Sequence, residues 1–258
     1  IRITTSGKEG NALVAAIDDN NNILWSWHIW CTDKPVDHKY INYNEQRFTV
    51  QDRNLGATRA DRGTGDEWIE STGLLFLWGR KDPISYNEYN TTQSKLTIEE
   101  TVLYPTIFPT HKEWMANRNK YLWTRKVKTI YDPCPVGYKV ANRDVWTGFS
   151  TTGMSTSSHS EINIKGSWDN GYYFIYDGTN TAWYPTSYNN SYAESYCRIW
   201  YSDGDYKDAF NNGWDEGNDW TCPPLMEFYY NTDIDASVRF DGNWAHTGSP
   251  SYVRCMLD

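Results

Sequence analysis

The sequence predicts a strand-dominated α+β fold, and three observations predict it. The chain carries 14 Trp, 20 Tyr and 8 Phe among many Asn, Asp, Ser, Thr and Gly, a composition rich in β-formers and turn-formers. From Gly166 onward, short apolar or alternating runs are separated by turn residues: "GYYFIYDG", "TAWYPTS", "SYCRIWYSDG", "MEFYY", "ASVRF" and "SYVRCML". No repeat of 20–50 residues and no Pro/Ser-rich linker divides the 258 residues, so 1–258 reads as one domain with room for a sizeable core.

The elements follow in chain order. Leu13–Ile17 and Ile23–Trp30 are two β runs around the polar loop Asp18-Asp19-Asn20-Asn21-Asn22, so residues 1–60 open with a hairpin integrated into the domain. That loop begins like a calcium-binding helix–loop–helix site. It has Ile23 where glycine is required and no glutamate at the twelfth position, so calcium is rejected there. "GLLFLWGRKDP" is a buried apolar segment ended by Gly79 and Pro83. Thr110 followed by Glu113 has the spacing of a capping box and predicts a helix ending by Tyr121. A shorter helix is predicted over Asn142–Thr147, capped by Asn142 and stopped by Gly148.

Charge and motif exclude several functions. A net charge of −9 and a pI of about 5.1 argue against nucleic acid as the default partner. No apolar run approaches the length of a membrane-spanning helix. The chain starts abruptly at Ile1 without a signal peptide, as expected of a mature or excised piece whose signal and anchor lie elsewhere. There is no G-x-S-x-G, no H-E-x-x-H and no P-loop, and the five histidines show no metal-ligand spacing. The expectation is a protein that is not an enzyme. Cysteines 31, 134, 197, 222 and 255 are odd in number and contain no C-x-x-C, which argues against a zinc or thioredoxin-type site.

Two segments could carry function. In "SDGDYKDAFNNGWDEGNDW", residues 202–220, six acids crowd one loop-rich stretch. Asp203, Asp205 and Asp208 are weak calcium candidates, because hard cations take several oxygens from flexible loops. Asp203, Asp205 and Asp215 could alternatively supply the carboxylate pair of a glycosidase, which needs a separation of roughly 5–9 Å. A solvated acidic loop is the plain alternative.

The second segment is "DIDASVRFDGNWAH", residues 233–246. Ala236, Val238 and Phe240 alternate with Asp235, Ser237, Arg239 and Asp241, so strand period 2 separates a buried set from a displayed one. Asp241-Gly242-Asn243 then reads as a turn, with Trp244 and His246 on a returning strand beside Arg239 and Asp241. An exposed Trp beside Arg and acids has the composition of a binding hot spot; an edge hairpin with one stray Trp is the alternative. The candidate ligand-binding residues are Tyr229, Tyr230, Asn231, Asp233, Asp235, Ser237, Arg239, Asp241, Trp244 and His246.

The blocks "AAIDDNNNILWSWHIW", "QDRNLGAT", "GLLFLWGRKDP", "TIYDPCPVGYKV", "YDGTNTAWYPTS" and "SYVRCMLD" span nearly the whole chain. In this order they resemble the fimbrillin-like surface proteins of Bacteroidetes whose C-terminal part is similar to the Fibrobacter succinogenes major paralogous domain. The resemblance implies a C-type-lectin-like fold, export to the cell surface or pilus, and a role as adhesin or pilus-tip subunit. Related lectin-like proteins are hypervariable targets of diversity-generating retroelements, which would make 220–249 a variable ligand-binding segment. Its counterparts here are Trp220-Thr221-Cys222-Pro223, Ala236–Phe240 and Val253-Arg254-Cys255. The same resemblance implies a Cys134–Cys255 disulfide and leaves Cys31 over. Cys197 and Cys222 depart from the family pattern and would form a second disulfide tying down the enlarged acidic loop. The E-P-N and W-N-D tripeptides of calcium-dependent sugar-binding lectins are absent, and "SWDN" at 167–170 is only a loose echo, so no cofactor is implied.

The expected function is therefore a non-enzymatic ligand-binding module of a surface adhesin, meeting a host or microbial surface protein or glycan, with other pilus subunits as further partners. A carbohydrate-active enzyme using the 203–219 carboxylates and a structural pilus subunit that exchanges strands are the alternatives.

Overall fold

The first two β runs close on themselves because their connecting loop satisfies its own backbone. Strands β1 (Gly10–Ile17) and β2 (Ile23–Cys31) pair antiparallel. Between them Asp18 Oδ1 accepts the N–H groups of Asn20 and Asn22 at 2.9 and 2.8 Å, and Asn21 takes a left-handed φ of 64°. This computed structural model describes residues 2–84, 90–110, 112–186, 196–202, 224–231, 235–240 and 246–258.

The remaining strands form four further groups. A four-stranded sheet has the order β3 (Asp37–Ile41), β4 (Arg47–Gln51), β15 (Cys255–Leu257), β7 (Tyr138–Val140). Strands β5 (Asn90–Thr92) and β6 (Ile107–Pro109) pair in parallel, and β8 (Ile164–Trp168), β9 (Gly171–Ile175) and β10 (Thr181–Pro185) form a meander. The second four-stranded sheet has the order β13 (Ala236–Arg239), β12 (Leu225–Tyr230), β11 (Cys197–Trp200), β14 (Tyr252–Val253). Helices are short: a 3₁₀ turn at Gly65–Ser71, α1 (Ile98–Leu103) and α2 (Arg143–Trp146), with brief 3₁₀ turns at Thr147–Phe149 and His159–Glu161. The fold is mixed and strand-rich.

Two aromatic cores meet at the second sheet. Tyr40, Trp146, Phe149, Phe174, Tyr184 and Phe228 pack in the first, with Phe174 edge-on to Phe228 at 4.4 Å. The second gathers Phe76, Trp78, Trp114, Trp123, Trp200 and Leu225 around the disulfide. Tryptophan suits the second core because several of its buried rings bring a donor to a strand or loop carbonyl. Trp200 Nε1 donates to the Phe76 carbonyl at 2.7 Å, Trp114 to Trp78 at 2.8 Å and Trp78 to Tyr201 at 3.1 Å. The high aromatic content is thus in large part a property of the interior. Close packing also dictates glycine: a Cβ on Gly171 would lie 2.3 Å from the Trp183 ring.

Cys134 and Cys255 are joined, with Cα atoms 5.8 Å apart, closing a separation of 121 residues. Cys197 is a free thiol and fully buried in the first core, so the expected pairing with Cys222 is corrected. Its inner-face position on β11 places the sulfur among packed apolar side chains rather than at a loop anchor. Burial also pushes its thiol well above the ordinary range. Cys31 is free as well.

The helix expected over 110–121 does not form. The Thr110 amide bonds the Thr92 carbonyl at 2.9 Å, and Leu96 pairs in parallel with Met115. Glu113 is buried as an acceptor for Thr247 Oγ1 at 2.6 Å and Met115 N at 3.2 Å instead of capping. Tertiary pairing overrides the local signal. Capping boxes are built instead at Thr64 and Glu67, before the 3₁₀ turn, and at Thr97 and Glu100, at the start of α1. The Asn142 cap is as expected, with its side chain accepting from the Asp144 N–H at 3.0 Å.

Candidate functional site

The tail strand separates its two faces as alternation requires. Ala236, Val238 and Phe240 are buried at 1, 0 and 1% exposure, while Ser237 and Arg239 are half-buried and Asp235 is exposed. Register extends the outer face across three strands. Arg198 of β11 lies opposite Glu227 of β12, and Glu227 opposite Arg239 of β13. The next row places Tyr229 opposite Ser237, with Tyr196 stacked on Tyr229 at 5.0 Å and 28°. The other end of the same face, Trp200 and Leu225, disappears into the second core. What remains is a charge row in which half-buried Arg198 and Arg239 flank the buried Glu227, beside a half-buried polar aromatic row, Tyr196–Tyr229–Ser237.

The electrostatics of the rows differ. Arg198 Nε donates to Glu227 Oε2 at 2.7 Å, a charge-assisted hydrogen bond to a nearly buried carboxylate. Arg239 has no ion-pair partner among the described residues, so the row carries one uncompensated positive charge. Burial, and then a hydrogen bond to the Asp235 carboxylate, hold the Tyr229 hydroxyl above the usual phenol range.

The edge beyond β13 is occupied. Thr156 and Val238 exchange both backbone hydrogen bonds at 2.9 Å, and the Phe240 N–H reaches Ser155 Oγ at 3.0 Å. The β13 edge at Val238 is therefore closed to an incoming strand.

Several expected site residues fall elsewhere. Tyr230 is corrected: it lies opposite Ala236, packs against the first core and meets His159 edge-on at 5.1 Å. The Asn231 carbonyl lies 2.7 Å from His159 Nε2, and its N–H bonds the Asp235 carbonyl at 2.9 Å, closing the β12–β13 connection. His246 is also corrected. It belongs to a turn, with its N–H on Ser249 Oγ and its neighbour Thr247 tied to Trp78 and Glu113. The strand that follows, β14, pairs in parallel with β11 at the far edge of the sheet. Asp233, Asp241 and Trp244 lie outside the described residues, as do Asp203, Asp205, Asp208, Asp215 and Cys222. Among the described residues no group of three His, Cys, Asp or Glu side chains is placed to hold a metal ion.

Sequence reasoning missed Tyr196, Arg198 and Glu227. A signal existed: Arg198 and Glu227 are opposite charges on otherwise apolar strands, the pattern of a cross-strand ion pair. No family model, curated protein or solved structure matches this chain.

Proposed function

We propose that the chain is a non-enzymatic ligand-binding module of a bacterial surface adhesin or pilus-tip protein, built on a C-type-lectin-like scaffold. The observation that carries this reading is the division of labour within one short strand. Its inner residues are sealed into an aromatic core, while its outer residues join Arg198 and Tyr229 in a polar and aromatic face. A rigid backbone with exchangeable outer side chains suits recognition, because surface substitutions away from a core cost little stability. The sequence blocks shared with fimbrillin-like surface proteins supply the cellular setting of the proposal.

The test is binding of the purified chain to panels of bacterial and host cells by flow cytometry, with wild type compared against a Tyr229→Ala/Arg239→Ala variant. The reading expects the variant to lose cell binding while its melting temperature stays within a few degrees of wild type. Equal binding by both proteins, or binding by neither, refutes it.

A further inference from the structure

The open face also constrains the chemistry of what it meets, given its reading as a binding surface. It offers six described side chains: Tyr196, Arg198, Tyr229, Asp235, Ser237 and Arg239. The stacked Tyr196–Tyr229 pair adds aromatic surface to the face. Ser237 and Asp235 supply a hydroxyl and a carboxylate of the kind that hydrogen-bond alcohol groups. Arg198 is neutralised by Glu227, whereas Arg239 is not neutralised by any described residue. Arg239 and Tyr229 are diagonal neighbours in the ladder, with Cα atoms about 7–8 Å apart.

Aromatic surface with alcohol-binding groups and a guanidinium unpaired among the described residues fits a sugar that carries a carboxylate. The rest of the molecule limits how many charges that ligand bears. With a net charge of −9, the protein repels a polyanion, and Arg239, the cation of this face without an ion-pair partner among the described residues, offsets only one negative group. We infer that the face takes a carboxylate-bearing sugar at the terminus of an otherwise neutral oligosaccharide, with the carboxylate on Arg239 and the ring against Tyr229. This inference rests on the binding-face reading above and narrows it to one ligand class.

The experiment titrates the full chain with 3′-sialyllactose, lactose and trigalacturonate, by calorimetry and saturation-transfer NMR. The expected result is binding of sialyllactose, with lactose and trigalacturonate weaker by roughly tenfold or more, the range of a charge-assisted hydrogen-bond pair. Arg239→Ala should abolish the preference for sialyllactose over lactose. Arg239→Lys should restore it in part, because a point charge lacks the two-pronged match to a carboxylate. Equal affinity for lactose and sialyllactose, tighter binding of trigalacturonate, or no binding of any of the three overturns the inference. If the chain still binds cells through Tyr229 and Arg239 in those cases, the binding-face reading stands and only the ligand class falls.

Discussion

Val238 and Arg239 are adjacent in sequence, yet their truncation should read out in different assays. Val238 is fully buried, opposite the equally buried Phe228, and its backbone is held on both sides. Val238→Ala removes two methyl groups. At about 0.8 kcal/mol each for lost transfer, plus a cavity the bracketed strand cannot collapse, the cost is about 2–3 kcal/mol. At about 2–4 °C per kcal/mol for a chain of this size, the melting temperature should fall by about 4–12 °C. Arg239→Ala takes away a half-buried guanidinium with no described ion-pair partner and leaves the Arg198–Glu227 pair intact, so its stability change should stay within about 0.5 kcal/mol. Thermal and urea unfolding followed by circular dichroism measure both variants, and the cell-binding assay follows in parallel. Comparable destabilisation by the two, or a larger loss from Arg239→Ala, would mean that the faces do not have separate jobs, and the reasoning about this strand would fail.

Two further predictions follow from buried groups. Reducing Cys134–Cys255, or replacing both residues with serine, should cost about 2–5 kcal/mol, because the bridge closes a loop of over a hundred residues; matched melting curves with and without reductant measure it, and an unchanged midpoint would contradict the estimate. His28, whose Nε2 lies 2.8 Å from Asn11 Oδ1, has its pKa lowered by burial from 6.5 to about 4. The folded state therefore binds this proton more weakly than the unfolded chain: the contribution to stability is fully present above pH 6.5 and is lost as pH falls toward 4. A His28→Gln variant should show a shallower loss of stability between those pH values, and an identical slope to wild type would remove His28 from the acid response.

Much of the fold is legible in the sequence where local chemistry and tertiary demand agree. The Asp18–Asn22 loop, the Asn142 cap and the Ala236–Val238–Phe240 alternation each depend on residues within a few positions of one another. Legibility fails where a distant partner claims a side chain. Glu113 has the spacing to cap a helix, but Thr247, 134 residues away, takes its carboxylate, and Leu96 draws the following chain into a bridge. The site shows the same limit. Period 2 identifies which residues of β13 look outward, but only the register with β12 reveals that Tyr229 belongs to the open face and Tyr230 to the core. Arg198 joins them from a strand some forty residues from Arg239, a proximity no local pattern encodes.

The placement of β15 has a consequence for how the molecule is made. The strand lies between β4 and β7, and its neighbour Arg254 is locked in the interior by Asn54 and the Trp183 carbonyl. The first sheet is therefore a zip whose slider comes from far along the sequence: residues 37–51 and 138–140 are bridged only through residues 255–257. One insertion, with the Cys134–Cys255 crosslink beside it, latches distant parts of the chain together.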